Sequence, residues 1–394
     1  MLVAAEASGD ALGAALMARL RARMGEGVRF VGVGGPGMAG EGLQSPFDIA
    51  ELSVLGFAEG VGAYRRVVRR ADEAAALAAR ERPDAAILID SWGFTLRVAQ
   101  RLRRARPDLP LIKYVGPQVW ASRPGRARTL AATVDHLLAL HPFDAPFFER
   151  AGLPTTMVGS PVMARSFAGA DGARFRARHG IAPDAPVLLV LPGSRPGEVR
   201  RLAPVFGEAV RRLKAERPAL AVVVPAAATV AEGVRAAAAA WGVGAILVED
   251  VAEKDDALLA GDVALACSGT ATTELALAGV PVVVGYILGA VTHLAAKVVV
   301  TTRWASLVNV AAQAEVMPEF IQGRCTPANL ARAVGERLDD AGLRARQRAA
   351  QDAALERMGR GGADPSDRAT SAVLDVLVER GLLKAAHAQQ EASS

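Results

Sequence analysis

Four short stretches carry most of the side chains able to do chemistry. "AEASGDALG" holds Glu6, Ser8, Gly9 and Asp10. A carboxylate at the carboxyl end of a parallel strand points toward a ligand crevice, which singles out Glu6. Ser8 and Asp10 have two readings, as caps of the following helix or as part of an anion site at its N-terminus. "AAILID" ends in Asp90, placed to take a proton from a hydroxyl or to hold a sugar, or else to bond its own turn. "LPGSRPGEV" offers Gly193 and Ser194 for close backbone approach, Arg195 as a planar fork for a diphosphate, and Glu198 at the start of a helix. "CSGTATTELALAG" offers a small-residue turn at Ser268, Gly269 and Thr270, suited to phosphate, with a helix expected from about Ala271. Glu274, on that helix, suits the two hydroxyls of a ribose, or favours the positive helix end as a plain cap. Two phosphate-friendly strand ends and one ribose-suited acid point to a nucleotide.

These residues need elements to carry them. The first half of the chain alternates short apolar runs ("LVAA", "RFVGVGG", "AAILID", "LPLIKYVG", "HLLALHP", "TTMVGSP") with amphipathic helical patterns. The second half begins again with "PVLLVLPGSR", "LAVVVPAA", "GAILVED", "VALACSG" and "VPVVVGY". Apolar runs of this length, separated by helices, predict parallel sheets covered on both faces. Two such series predict two Rossmann-like α/β domains, joined near Ala164–Gly180, with Arg-rich helices after Thr326 and a frayed tail after Lys384.

Gly32, Gly34 and Gly37 form Gly-x-Gly-x-x-Gly, but they follow the second strand rather than the first, and Pro36 interrupts them. The acids downstream, Asp48 and Glu51, lie in "SPFDIAELSVLG", which does not read as a strand ending in an acid, so the run is expected to be a strand-to-helix turn rather than a dinucleotide site.

Composition narrows the classes further. The formal charge is +5 over 394 residues, and no basic patch interleaves with aromatics, which excludes a typical nucleic-acid binder. Cys267 and Cys325 stand far apart, without metal spacing or a disulfide framework, which fits a reducing cytoplasm. The N-terminus lacks signal-peptide features. Leu275–Ala296 carries no Asp, Glu, Lys or Arg, but its glycines and Pro281 read as a helix end, a buried strand and a second helix. There is no Walker sequence, no Asp-x-Asp and no Gly-x-Ser-x-Gly, and the five histidines lack ligand spacing.

Taken in order, "AEASGD", "FVGVGGPGM", "LLALHPFDAPFFERAGLPTTMVGSP", "LPGSRPGEV", "SGTATTELALAGVPVVVGY" and "SLVNVAAQAEVMPEFIQGRCTPANLA" resemble the lipid-A-disaccharide synthase family over about residues 1 to 340. The resemblance implies a GT-B architecture, two Rossmann-like domains facing across a cleft. Residues 1–165 would form the acceptor domain and 166–345 the UDP-sugar domain. Residues 346–394 would be helices, able to pack back on the first domain, and the tail. It implies inverting transfer of 2,3-diacylglucosamine from UDP to the 6-hydroxyl of 2,3-diacylglucosamine 1-phosphate (lipid X), with no cofactor and no metal. Location would be peripheral, on the cytoplasmic face of the inner membrane of Gram-negative bacteria. Partners would be the two lipid substrates and an anionic membrane surface, not nucleic acid; a homo-oligomer is compatible with it.

Carried over by position, the resemblance implies Asp90, then Glu6, as catalytic base. It puts Ser8, Gly9 and Asp10 on the acceptor side. Gly193, Ser194, Arg195, Glu198, Ser268, Gly269, Thr270, Ala271, Thr272, Glu274 and Asn309 fall on the UDP side. Departures from the family pattern lie at Ser91–Gly93, Gly116, Ser122, Ser160, Val308 and Ala314, mostly in the first half. "ELSVLGFAEGVGAYRRVVRR" sets Leu52, Leu55, Val61, Tyr64, Val67 and Val68 near Arg65, Arg66, Arg69 and Arg70. It fits either a surface-lying membrane segment or a core helix with a solvated basic end. Two rivals fit the same nucleotide pattern: a UDP-N-acetylglucosamine 2-epimerase or other UDP-sugar enzyme, and a non-catalytic UDP-sugar or lipid binding protein.

Overall fold

The computed structural model describes residues 1–53, 60–289 and 302–384. The chain forms two compact units, Met1–Pro161 with the segment from Gly362 onward, and Val162–Gly361. The stretch 164–180, which reads as a linker in sequence, is built into the second unit: its helix Gly172–Arg178 packs on the helix Val251–Ala260. The chain leaves that unit at Gly359 and Gly361, whose φ values of 99° and 78° are strained for any side chain.

The first unit holds six parallel strands: β1 (Leu2–Val3), β2 (Gly32–Val33), β3 (Ala86–Ile89), β4 (Leu111–Tyr114), β5 (His136–Ala139) and β6 (Thr155–Met157). Their order is β2-β1-β3-β4-β5-β6. Both faces are covered, so β3 is apolar at every position. Ala86 and Leu88 join a core with Val3, Phe94, Val98 and Leu137, while Ile87 and Ile89 join another with Leu16, Met17, Ile112 and Tyr114. The second core is closed by Ala369, Val373 and Leu374 of the helix Pro365–Glu379.

The second unit repeats the plan with β7 (Val187–Leu191), β8 (Ala221–Pro225), β9 (Ile246–Val248), β10 (Val263–Cys267), β11 (Val282–Tyr286) and β12 (Glu319–Ile321). All pairings are parallel, in the order β12-β11-β10-β7-β8-β9. Leu188, Val190, Leu265 and Val283 pack with Phe206, Val210 and Trp241 of the helices Pro196–Glu216 and Ala231–Trp241.

No helix among the described residues is long and apolar enough to cross a membrane. Of the uncharged stretch 275–296, Leu275–Leu277 closes a helix and Val282–Tyr286 is β11; residues from 290 lie outside the described ones. Leu52 and Val67 of the basic segment are core residues. Arg70 is held inside the unit by Glu51 at 2.7 Å and lies 4.6 Å from the Phe47 ring centroid. Leu55 and the Val61 side chain lie outside the described residues. Tyr64, Arg65 and Arg69 are exposed.

Candidate functional site

In a doubly wound sheet, ligands bind where the strand order reverses, beyond the carboxyl ends of the strands. In the first unit that point lies between β1 and β3. Glu6 and Ser8 follow β1 and Asp90 follows β3, and the Ser8 hydroxyl donates to the Asp90 carboxylate at 3.3 Å. Glu6 and Ser8 are exposed and Asp90 is half-buried.

Asp90 reaches this position through an unusual backbone. Its φ is 48° and that of Ser91 is 38°, two successive left-handed residues that are not glycine. Such conformations cost on the order of 1–3 kcal/mol each and persist only where neighbours hold them. The neighbours are clear. The Asp90 amide donates to the Tyr114 carbonyl at 2.8 Å, and the Thr95 hydroxyl donates to the Asp90 carbonyl at 2.7 Å. Lys113, from β4, also donates to the Asp90 carbonyl, and to the Thr95 hydroxyl at 2.8 Å. Lys113 is 2% exposed. Burial pushes its ammonium down to about 7, partly countered by the charges of Asp90 and Glu6. Lys113 and Thr95 escaped the sequence reading. The one visible signal was a lysine inside the apolar run "LPLIKYVG".

Gly9 is buried against Ala4 and Ile89. Asp10 is buried too, and its carboxylate accepts from the amides of Gly35 (2.7 Å), Gly37 (2.7 Å) and Met38 (3.0 Å). This explains the glycine run after β2. A Cβ at Gly35 or Gly37 would come within 2.9 Å of the Asp10 carboxylate. The turn is an anion cradle whose anion is Asp10 itself. Close packing at Gly9 and the carboxylate of Asp10 therefore build the first loop, and what the loop presents outward is Glu6 and Ser8.

In the second unit the order reverses between β7 and β10, and both phosphate-suited turns stand at that point. Gly193 has a φ of 135°, and a Cβ there would meet the Glu198 side chain at 2.5 Å. Glu198 is buried and accepts from the amides of Ser194 at 3.1 Å and Arg195 at 3.3 Å. Those amides are thus occupied from within, and Glu198 supports the turn instead of facing a ligand. The Arg195 side chain remains 78% exposed, with Glu198 at 3.3 Å.

After β10 the helix Thr270–Leu277 opens with Gly269 and Thr270 exposed and Ala271 half-buried. It starts one residue earlier than the sequence suggests. The Ser268 hydroxyl donates to the Ala305 carbonyl at 2.8 Å. Thr272 is buried and donates to the Gly269 carbonyl at 2.7 Å. Glu274 pairs with Arg165 at 2.7 Å and lies 3.6 Å from Lys254. Arg165 also pairs with Asp255. Sequence reading missed Arg165 and Lys254, which sit in stretches without a motif.

Asn309 is fully buried. It donates to the Met317 carbonyl (2.7 Å) and to Glu319 (2.8 Å), and accepts from the amides of Val316 (2.9 Å) and Met317 (2.8 Å). All four hydrogen-bonding positions of an Asn are used. Expected at the nucleotide, it is instead a staple. Buried Glu319 takes the amides of Ala305 (2.7 Å) and Ser306 (2.8 Å) and the Ser306 hydroxyl (2.8 Å). Together they fix the 305–306 backbone on which Ser268 rests.

Comparison with known proteins extends this. A family model described as lipid-A-disaccharide synthetase matches residues 1–372. The lipid-A-disaccharide synthase of Rhodospirillum centenum is 46% identical over 379 residues, 96% of this chain and 94% of that protein. Among solved structures, the S. aureus MnaA–UDP co-structure aligns with a TM-score of 0.62 at 15% identity, over 97% of both chains. CalG4, the calicheamicin glycosyltransferase, aligns with a TM-score of 0.57 at 18% identity, over 96% of this chain and 98% of that one. At these identities the structures share the fold, that of GT-B enzymes.

Proposed function

The chain belongs to the lipid-A-disaccharide synthase family, and from that premise we propose how its own residues divide the work. The activity is hexosyl transfer. 2,3-Diacylglucosamine passes from UDP to the 6-hydroxyl of 2,3-diacylglucosamine 1-phosphate, giving the disaccharide 1-phosphate and UDP. An epimerase reading would rest on fold likeness alone and is not favoured.

The first unit activates the acceptor. Asp90 takes the proton from the 6-hydroxyl, with Ser8 orienting its carboxylate and Glu6 as the second acidic group of the loop. The second unit holds UDP. Arg195 forks onto the diphosphate, and the Ser268–Ala271 turn offers backbone amides and the positive helix end. These donors stabilise the charge that develops as UDP leaves. Glu274 takes the ribose hydroxyls, competing with its ion pairs to Arg165 and Lys254. Gly193, Glu198, Thr272 and Asn309 keep these turns in shape.

Both substrates carry acyl chains, so the protein works at a bilayer surface, on the cytoplasmic face of the inner membrane. Exposed Tyr64, Arg65 and Arg69, the last paired with Glu73, are the groups of the basic helix placed to meet anionic lipid.

The observation that carries this division is the Ser8–Asp90 contact at the strand reversal, built on a backbone strained into place. The test is Asp90→Asn in the full chain, with products identified by mass spectrometry after incubation with both substrates. Turnover should fall by about 10²–10⁴-fold while UDP affinity holds. Retained turnover, or lost UDP affinity, would remove Asp90 from the role of base.

A further inference from the structure

Two arginines follow β4, Arg123 in the loop and Arg126 at the start of the helix Arg126–Ala131. Arg19, Arg29, Arg69, Arg70, Arg80, Arg101, Arg103 and Arg380 each pair with a carboxylate. Among the described residues, Arg123 and Arg126 meet no carboxylate. Arg126 is half-buried, with its guanidinium 5.1 Å from the centroid of the Trp92 ring. Arg123 is exposed, in a turn where its own φ is 51° and its carbonyl accepts from the Arg126 amide at 3.0 Å. The two cations are close enough for Arg123 to weaken Arg126's hold on its proton, adding to the larger effect of burial.

Two adjacent guanidiniums without a counter-charge repel each other. An anion with several oxygens relieves that repulsion and matches both planar forks. Stacking on Trp92 fixes the Arg126 plane in advance. Trp92 lies two residues beyond Asp90, and β4 is the neighbour of β3, so this pair stands on the same sheet edge as the proposed base. The acceptor bears its phosphate and its reacting hydroxyl on one sugar ring. A grip on that phosphate must therefore lie within a single sugar's span of the base.

We propose that Arg123 and Arg126 form the binding site for the acceptor's sugar 1-phosphate, with Trp92 holding Arg126 in place. The assignment rests on the transferase reading above and names the phosphate subsite of that same acceptor side.

The experiment compares the wild-type chain with Arg123→Gln, Arg126→Gln and the double substitution, in detergent micelles at saturating donor. Two acceptors are used, the diacylglucosamine 1-phosphate and the same sugar lacking phosphate. The wild type should prefer the phosphorylated acceptor. The double substitution should raise its KM by about 10–100-fold and abolish the preference, leaving the donor KM and the kcat at saturation unchanged. Arg126→Lys, which keeps the charge, should recover part of the loss. A double variant that still discriminates overturns the assignment. Calorimetry with soluble glucosamine 1-phosphate tests the site without catalysis. Binding to the wild type that the double variant loses supports it, and binding that survives, or is absent from the wild type, overturns it. Wild type that binds the sugar phosphate but transfers nothing strikes the transferase reading and not this site. Vesicles of phosphatidylglycerol separate the other source of phosphate. If the variants lose only vesicle flotation, the cations read a membrane headgroup and the assignment falls.

Discussion

Lys113→Met should make the protein more stable and a poorer catalyst. Lys113 is an ammonium with almost no access to water, bonded to one carbonyl and one hydroxyl. Burial takes it from the ordinary 10.5 down to about 7, with Asp90 and Glu6 opposing the fall. A shift of that size disfavours the charged form by about 5 kcal/mol, an upper bound for what the apolar side chain would release. Lost hydrogen bonds reduce it, and replacing buried charges by apolar groups of similar volume is commonly neutral or stabilising by about 1–4 kcal/mol. The sign with pH follows. Between about 7 and 10.5 the unfolded chain binds the proton and the folded one does not, so the wild type gains stability from this group as pH rises. The advantage of Lys113→Met is therefore full below about pH 7 and fades to nothing by about pH 10.5.

Function moves the other way. Without the ammonium, Thr95 alone holds the Asp90 carbonyl, and the Asp90 carboxylate loses the cation that faces it. Turnover should drop by about 10-fold or more, with the donor KM unchanged. Urea unfolding of both proteins from pH 6 to 10, beside steady-state kinetics at pH 6, where Lys113 is charged, reads both effects. A variant that is less stable at pH 6, or whose advantage stays constant to pH 10, would show that the buried charge is not strained. Unchanged turnover would show that Asp90 does not depend on it.

Three further outcomes follow from the same geometry. Arg195→Ala should raise the donor KM by about 10–100-fold without moving Tm, since a charged hydrogen bond is lost from an exposed side chain; Glu198→Ala, stripping the acceptor from the Ser194 and Arg195 amides, should lower stability by about 1–3 kcal/mol in urea as well. Asn309→Ala should destabilise by about 3 kcal/mol, and Asn309→Asp should do worse as pH rises, because it sets a second carboxylate against Glu319; equal urea midpoints for these variants and the wild type would dismiss the staple. His141 is held neutral by burial, pushed down to about 4, so the folded state loses stability as pH falls from 6.5 toward 4. Asp144, raised by burial to about 6, acts in the opposite sense between 3.8 and 6. His141→Phe should therefore lose less stability than the wild type on acidification from pH 6 to 4.5, and Tm values that fall in parallel for the two proteins over that range would refute the account.

How much of this was legible beforehand depends on the kind of interaction. The parallel sheets were legible because burial on both faces forces continuous apolar runs, as in "AAILID" and "VALAC", and such runs survive any rearrangement of their partners. The chemical side chains at strand ends were legible for the same reason: a polar residue that closes an apolar run has to leave the sheet at its edge. What the chain alone could not reveal was which polar groups answer one another across the fold. Asp10 lies 25 and 27 residues before Gly35 and Gly37; by themselves the acid reads as a cap or an anion-site residue and the glycines as a turn, and together they satisfy each other. Glu198 does the same to the turn it follows, and Asn309 to the segment before β12. Family motifs mix residues that touch a ligand with residues that hold those in place, and spacing does not separate the two. Burial does. Arg195 and Asn309 stand in equally recognisable motifs, yet one is open to solvent and the other has no donor or acceptor left to give. Lys113 is the converse case. A lone cation in an apolar strand has no motif, but a strand that must bury it has to find it partners, and the partners it found are the backbone of Asp90 and the hydroxyl of Thr95.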